Sequence, residues 1–163
     1  MILIRTNDGY RLKGSRRVLT EADVLAAADD ILQRRLERQG HVRTPRDAAE
    51  LLRVRLGALK HEEFHVLWLD QRHRILGIER LFTGTVDGTA VHPREVVRRA
   101  LDVNAAAVVL AHNHPSGVCE PSASDHLITD ELQRALGLIG VRVIDHLVVG
   151  AGGVVSLAER GAL

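Results

Sequence analysis

His112, Asn113 and His114 stand in a stretch, Ala111 to Asp125, whose residue types could hold a metal ion. The two histidines are two apart, so on an extended strand both imidazoles leave from one face and can converge on a point. Asp125 follows a loop punctuated by Pro115, Gly117 and Pro121, in the first turn of a helical pattern. Two imidazoles and one carboxylate, with the fourth position left to water, make the open tetrahedral set of a catalytic zinc. Ser122 is placed to cap the helix, which makes Asp125 its N3 residue. Hydroxyl and carboxylate then lie together at the helix mouth, beside unpaired N–H groups and the positive end of the dipole. A carboxylate is stabilised there, and a hydroxyl can donate to an oxygen that becomes negative during reaction. On local spacing alone, His-Asn-His-Pro-Ser-Gly also reads as a plain turn.

Taken whole, the series His-x-His, seven residues, Ser, two residues, Asp matches the JAMM (MPN/JAB) metalloprotease motif at every fixed position. The surrounding words resemble its bacterial RadC branch: His-Pro-Arg-Glu-Val-Val at 92–97, Asn-Ala-Ala-Ala at 104–107, His-Asn-His-Pro-Ser-Gly at 112–117 and Asp-His-Leu-Val-Val-Gly at 145–150. The resemblance runs from about Thr44 to the C-terminus. It implies a curved mixed sheet flanked by helices, as in cytidine deaminases, and one zinc per chain on His112, His114 and Asp125.

The resemblance also implies a glutamate base upstream of the His-x-His, near the start of a core strand. RadC-like sequences show Glu-x-Phe there, and Glu62-Glu63-Phe64 fits with Glu62 as the base and Glu63 as its neighbour. Adjacent side chains on an extended segment face opposite ways, so only one of the two acids can point at the metal. Without the resemblance, both read as solvated acids at a strand start. Glu62 would activate water and shuttle its proton. Ser122 would steady the tetrahedral oxyanion together with the metal.

Rival chemistries fit less well. A zinc deaminase needs His-x-Glu and Pro-Cys-x-x-Cys, and the sequence has one cysteine. The helix His-Glu-x-x-His is absent, and an HNH nuclease spreads its named residues over a ββα-metal motif rather than a tripeptide. Cys119 has no disulfide partner within the chain; it reads as a passive loop residue rather than a nucleophile or fourth ligand. His146 lies in a RadC-like word and either orients the site or packs its strand. His126 is expected to point away. His41, His61, His65, His73 and His92 read as surface or strand residues.

The 163 residues suit one α/β domain with a true core. Net charge is +1, which offers no bulk attraction to DNA or anionic lipid. Residues 1–60 hold 13 Lys+Arg against 8 Asp+Glu, a balance of +5, while residues 61–163 hold 9 against 13, a balance of −4. The N-terminal part is therefore the better candidate for an anionic partner, although a solvated helical face accounts for it too. Tyr10, Phe64, Trp68 and Phe82 are the only aromatics, too few for a single-strand stacking platform. No signal peptide is recognised, and no uncharged apolar run approaches the ~18 residues of a membrane helix. A cytoplasmic protein is expected.

The elements that must position the site read as follows. Ile2 to Lys13 forms a hairpin with Asn7-Asp8-Gly9 at its turn, or else a frayed arm. Thr20 caps a helix ending at Gly40, and Thr44-Pro45 opens a second running to Gly57. Strands over 64–69 and 74–82 flank a turn at 70–73, with a loop at 83–88. A helix from His92-Pro93 through Leu101, a strand over 105–111, a helix from Ser122 to about Leu138 and a strand over 141–149 follow, then a turn and a short strand. This order predicts an α/β fold, a single three-layer domain with a central mixed sheet flanked by helices. Residues 1–43 form an N-terminal arm and helix, and residues 44–163 the RadC-like JAMM/MPN domain. Full-length RadC proteins carry a helix-hairpin-helix-like segment ahead of that domain, and no such segment is recognisable in residues 1–43.

The expected function is zinc-dependent hydrolysis of an amide or isopeptide bond in a protein or peptide substrate. Fe, Mn or Co suit similar ligands. The alternatives are a metal-binding or metal-free scaffold and a DNA-associated module. The RadC name is linked to DNA repair, which is an association and not a mechanism.

Overall fold

The computed structural model describes residues 3–6, 9–12, 23, 25–32, 42, 44–84 and 90–163. Strands β1 (Leu3–Thr6) and β2 (Gly9–Leu12) pair antiparallel, with Leu3 opposite Leu12 and Thr6 opposite Gly9. That register is the predicted hairpin, with a connection of two residues that themselves lie outside the described ones. Residues 25–32 are helical; the predicted caps at Thr20 and Gly40 lie outside the described residues. Asp29 of this helix is gripped by the Arg55 guanidinium at 2.9 and 3.3 Å.

Helix α1 (Pro45–Leu56) starts as its sequence dictates. The Thr44 hydroxyl accepts from the Asp47 N–H at 3.3 Å, the Asp47 carboxylate accepts from the Thr44 N–H at 3.0 Å, and Pro45 fills the first position, where no N–H is needed. Ala48, Leu51, Leu52 and Leu56 are its buried stripe. Strand β3 (Glu63–Leu69) is buried at every residue, which explains why its sequence does not alternate: both faces are covered. Asp70 turns the chain by accepting from the N–H groups of Arg72 and Arg74, both at 2.8 Å, and β4 (Ile75–Thr83) returns.

Helix α2 (Pro93–Asp102), strand β5 (Ala107–Asn113), helix α3 (Ala123–Gly137) and strands β6 (Arg142–Gly150) and β7 (Gly153–Ser156) follow. The five-stranded sheet has the order β4-β3-β5-β6-β7. Strands β5 and β6 are parallel and the other neighbours antiparallel, so the β5–β6 connection must cross over, and α3 is that crossover. Helix α1 packs on one face, where Ala48, Leu52 and Leu56 meet Leu67, Val109 and Leu147. Helices α2 and α3 cover the other, where Val96, Ala100, Leu132 and Leu136 meet Val66, Trp68 and Leu110. The result is the three-layer α/β arrangement read from the sequence. Among the described residues no helix is long and apolar enough to cross a membrane.

Strand β5 lies two residues later than the predicted 105–111. The C-terminal end of α2 keeps the preceding chain, with the Ala105 N–H bonded to the Ala100 carbonyl at 3.0 Å and Asn104 at φ 52°. At the far end, pairing with β6 persists to Asn113, opposite Val149. His112 is consequently a strand residue, fixed on both sides by ladders.

Candidate metal centre

His112 projects from the end of β5, on the face that α3 covers. It pairs with Phe64 across the β3–β5 ladder, and the two rings stack. His114 lies just past the strand, and its N–H still bonds the Val149 carbonyl at 2.9 Å. The chain then turns. The Gly117 N–H returns to the His114 carbonyl at 2.9 Å, and Gly117 adopts φ 83°, a conformation open chiefly to glycine. The turn delivers the Val118 carbonyl to His114 Nδ1 at 2.8 Å. A carbonyl only accepts, so Nδ1 carries the proton and Nε2 keeps its lone pair for a metal. The turn reading of His-Asn-His-Pro-Ser-Gly is thus borne out, and the turn is compatible with the metal reading.

Ser122 caps α3 with Asp125 at N3, the arrangement its spacing predicts. The Asp125 N–H bonds the Ser122 hydroxyl at 3.2 Å; Asp125 Oδ2 accepts from the Ser122 N–H at 2.6 Å and from its hydroxyl at 2.7 Å. The Ser122 proton is therefore turned toward the carboxylate it orients. Burial by itself raises the Asp125 carboxyl; the His112 hydrogen bond and charge, with the two bonds from Ser122, outweigh it and hold the group well below the ordinary carboxylate range.

His112, His114 and Asp125 form a group that could hold a metal ion, their donor atoms all lying within 4.8 Å of one another. His112 Nε2 is 3.0 Å from His114 Nε2 and 3.0 Å from Asp125 Oδ1, and His114 Nε2 is 3.4 Å from Asp125 Oδ2. A tetrahedral centre with bonds of ~2.0 Å has ligand–ligand edges of about 3.3 Å. Asp125 Oδ1 approaches His112 and Oδ2 approaches His114 at about that scale, so the three side chains converge closely enough for one small cation and are of the type zinc takes. His112 is 2% exposed, whereas His114 and Asp125 keep 16% and 13% of their side-chain surface exposed, which opens the site to solvent on their side.

Behind His112 stands His146 of β6, its Nε2 2.8 Å from His112 Nδ1. Its Nδ1 lies 2.6 Å from the Thr129 hydroxyl of α3. Burial first, then the neighbouring His112, press the His146 imidazole well below its ordinary pKa. Asp145 points to the opposite face, accepting from the Ser156 hydroxyl at 2.7 Å and from the N–H groups of His146 and Ala158. Burial raises its carboxyl despite those bonds. His126 is exposed, as is Ser122, and Cys119 is a free, half-buried thiol outside the three-donor group.

Of the two candidate acids, Glu63 is buried and committed elsewhere. Its carboxylate takes His61 Nε2 and His65 Nε2, each at 2.8 Å, and Arg80 at 3.0 Å. Burial raises this carboxyl, but the bonds from His65, Arg80 and His61 prevail and bring it down to about 2. Asn113, between the two site histidines, clamps the same corner: its Oδ1 accepts from the Glu63 N–H and its Nδ2 donates to the His61 carbonyl, both at 2.9 Å. Sequence reasoning read His61 and His65 as surface or strand residues and did not find this cluster. The signal was there, since His61, Glu63 and His65 alternate and so share one side of an extended chain. Glu62 precedes the strand, its carbonyl receiving the Gly84 N–H at 2.8 Å.

Residues 42–162 match the RadC-like JAB domain family. A UPF0758 protein of Alcanivorax borkumensis is 59% identical over 128 residues, 78% of this chain and 57% of that protein. One from Marinobacter nauticus is 57% identical over 127 residues, 77% and 57% of the two chains. A UPF0758 protein of Nitrosococcus oceani is 48% identical over an alignment covering 92% of this chain and 76% of its own length. The chain spans little more than half the length of the first two relatives. With three quarters of its length inside one family and close relatives on either side of half identity, the chain belongs to the RadC-like JAB domain family.

Proposed function

We propose that the chain is a zinc-dependent hydrolase of amide or isopeptide bonds, acting on a protein or peptide. The observation that carries this reading is the set of three donor separations at the β5–α3 junction, which suits one small cation with a side open to solvent. His112, His114 and Asp125 would hold zinc, which when bound supplies a Lewis acid that polarises a carbonyl and lowers the pKa of water toward ~7.

The rest falls to the protein's own groups. Glu62 is the base: it takes a proton from the attacking water and returns it to the departing nitrogen, so that the amine leaves neutral. Ser122 holds Asp125 in its present orientation through its N–H, and its hydroxyl proton turns from Asp125 Oδ2 to the oxyanion as negative charge grows there. The Glu63 cluster removes the neighbouring acid from competition. Metal analysis of the purified protein tests the reading, with one zinc per chain expected and its loss in His112→Ala; equal metal content in the two proteins would refute it.

A further inference from the structure

His146 and Thr129 are buried polar residues to which the proposed hydrolysis gives no task. The Thr129 hydroxyl lies 2.5 Å from the Asp125 carbonyl. A carbonyl has no proton to give, so the single hydroxyl proton of Thr129 is committed to it. Toward His146 Nδ1, 2.6 Å away, the threonine oxygen can only accept, and Nδ1 must carry a proton. Among the described residues no carboxylate hydrogen-bonds the ring, whose neighbours are Phe64, His112 and Thr129. The nearby Asp125 carboxylate bonds Ser122 instead, and a buried cation without a bonded counterion is disfavoured. Neutral His146 therefore presents a bare Nε2 to His112 Nδ1, which donates across 2.8 Å. The His112 nitrogen directed at His114 and Asp125 is then Nε2, the one that would bind the ion.

We propose that His146, set by Thr129, is a positioning residue that fixes the tautomer and ring orientation of His112 for metal binding. The backbone of His146 is itself braced: its N–H bonds Asp145 Oδ1 at 2.7 Å and its carbonyl receives the Leu157 N–H at 3.0 Å. The direction of every bond in the series starts from one carbonyl, that of Asp125, so a ligand's own backbone helps to aim another ligand.

This inference rests on the metal reading above, and two measurements separate their failures. In the metal-free protein, long-range proton–nitrogen NMR should show His146 protonated at Nδ1 and bare at Nε2. An Nε2-protonated ring would overturn the inference whatever becomes of zinc. In zinc competition titrations, His146→Leu should bind about 10- to 100-fold more weakly than the parent. His146→Gln, whose amide oxygen can still accept from His112, should recover most of that loss. Equal affinities for the Leu and Gln variants would reduce His146 to packing. Thr129→Val keeps the buried volume, and it should weaken zinc binding where Thr129→Ser does not; if both match the parent, the hydroxyl sets nothing. Undiminished zinc binding by His112→Ala would instead sink the metal reading.

Discussion

Phe64 and His112 face each other across the β3–β5 ladder with ring centroids 6.3 Å apart and planes 11° from parallel. Glu63 falls on the opposite side with His65, and Glu62, two residues before Phe64, would share the histidine's side if the extended chain continued one residue ahead of the strand. Glu62→Gln should leave zinc content at the parental level and lower turnover of a cleavable peptide by about 10²- to 10⁴-fold. Parallel metal analysis and kinetics check it, and full activity in the variant would remove Glu62 from the chemistry.

Glu63 should instead govern stability in acid. Its folded pKa, about 2, lies below the ordinary glutamate value of 4.5, so the folded state holds the proton less tightly than the unfolded one. The stabilisation is complete above pH 4.5 and disappears as pH falls from there toward 2. It amounts to roughly 3 kcal/mol. Denaturant unfolding of the parent and Glu63→Gln at pH 7 should differ by that order, and the two should converge near pH 2. His65 acts in the same sense. Burial lowers its pKa more than Glu63 raises it, so acidification below the ordinary histidine value also favours the unfolded chain.

Gly150 touches the motif loop closely enough to be indispensable. A Cβ there would stand 2.5 Å from the Gly117 carbonyl oxygen and 2.9 Å from the Cys119 nitrogen, both backbone atoms. Gly150→Ala should displace residues 117–119, draw the Val118 carbonyl away from His114 Nδ1 and weaken zinc binding with a smaller effect on global unfolding. Competition titration alongside thermal melting checks this. Gly152→Ala, where an added methyl meets nothing within 4 Å, is the control.

Zinc should also act as a folding ligand. At a free concentration one hundred times its dissociation constant it would stabilise the protein by about 2.7 kcal/mol. Calorimetry should show a raised Tm that chelator reverses, and neither effect in His112→Ala.

Much of this was readable from the sequence because it depends on local rules. Thr44-Pro45 and Ser122–Asp125 announce their helices through capping chemistry that needs no distant partner. The apolar runs of β3 and β5 declare strands covered on both faces. Strand β5 was misplaced by two residues because its end is decided by β6, which arrives more than thirty positions later. The same holds for His146 and Thr129: nothing near either residue says that they will meet, since a parallel pairing and a helix docking bring them together. The Glu63 cluster depends on Arg80 and Asn113, contributed by the strands on either side.

Strands β5 and β6 run in the same direction, so no tight turn can join them, and the intervening α3 carries Asp125 and Thr129. A nascent chain halted just after Asp125 would own every chelating group but neither Thr129 nor His146 to stand behind His112. Occupancy by a cation would then report that the crossover has closed, making the ion a witness to completed folding before it takes part in any reaction.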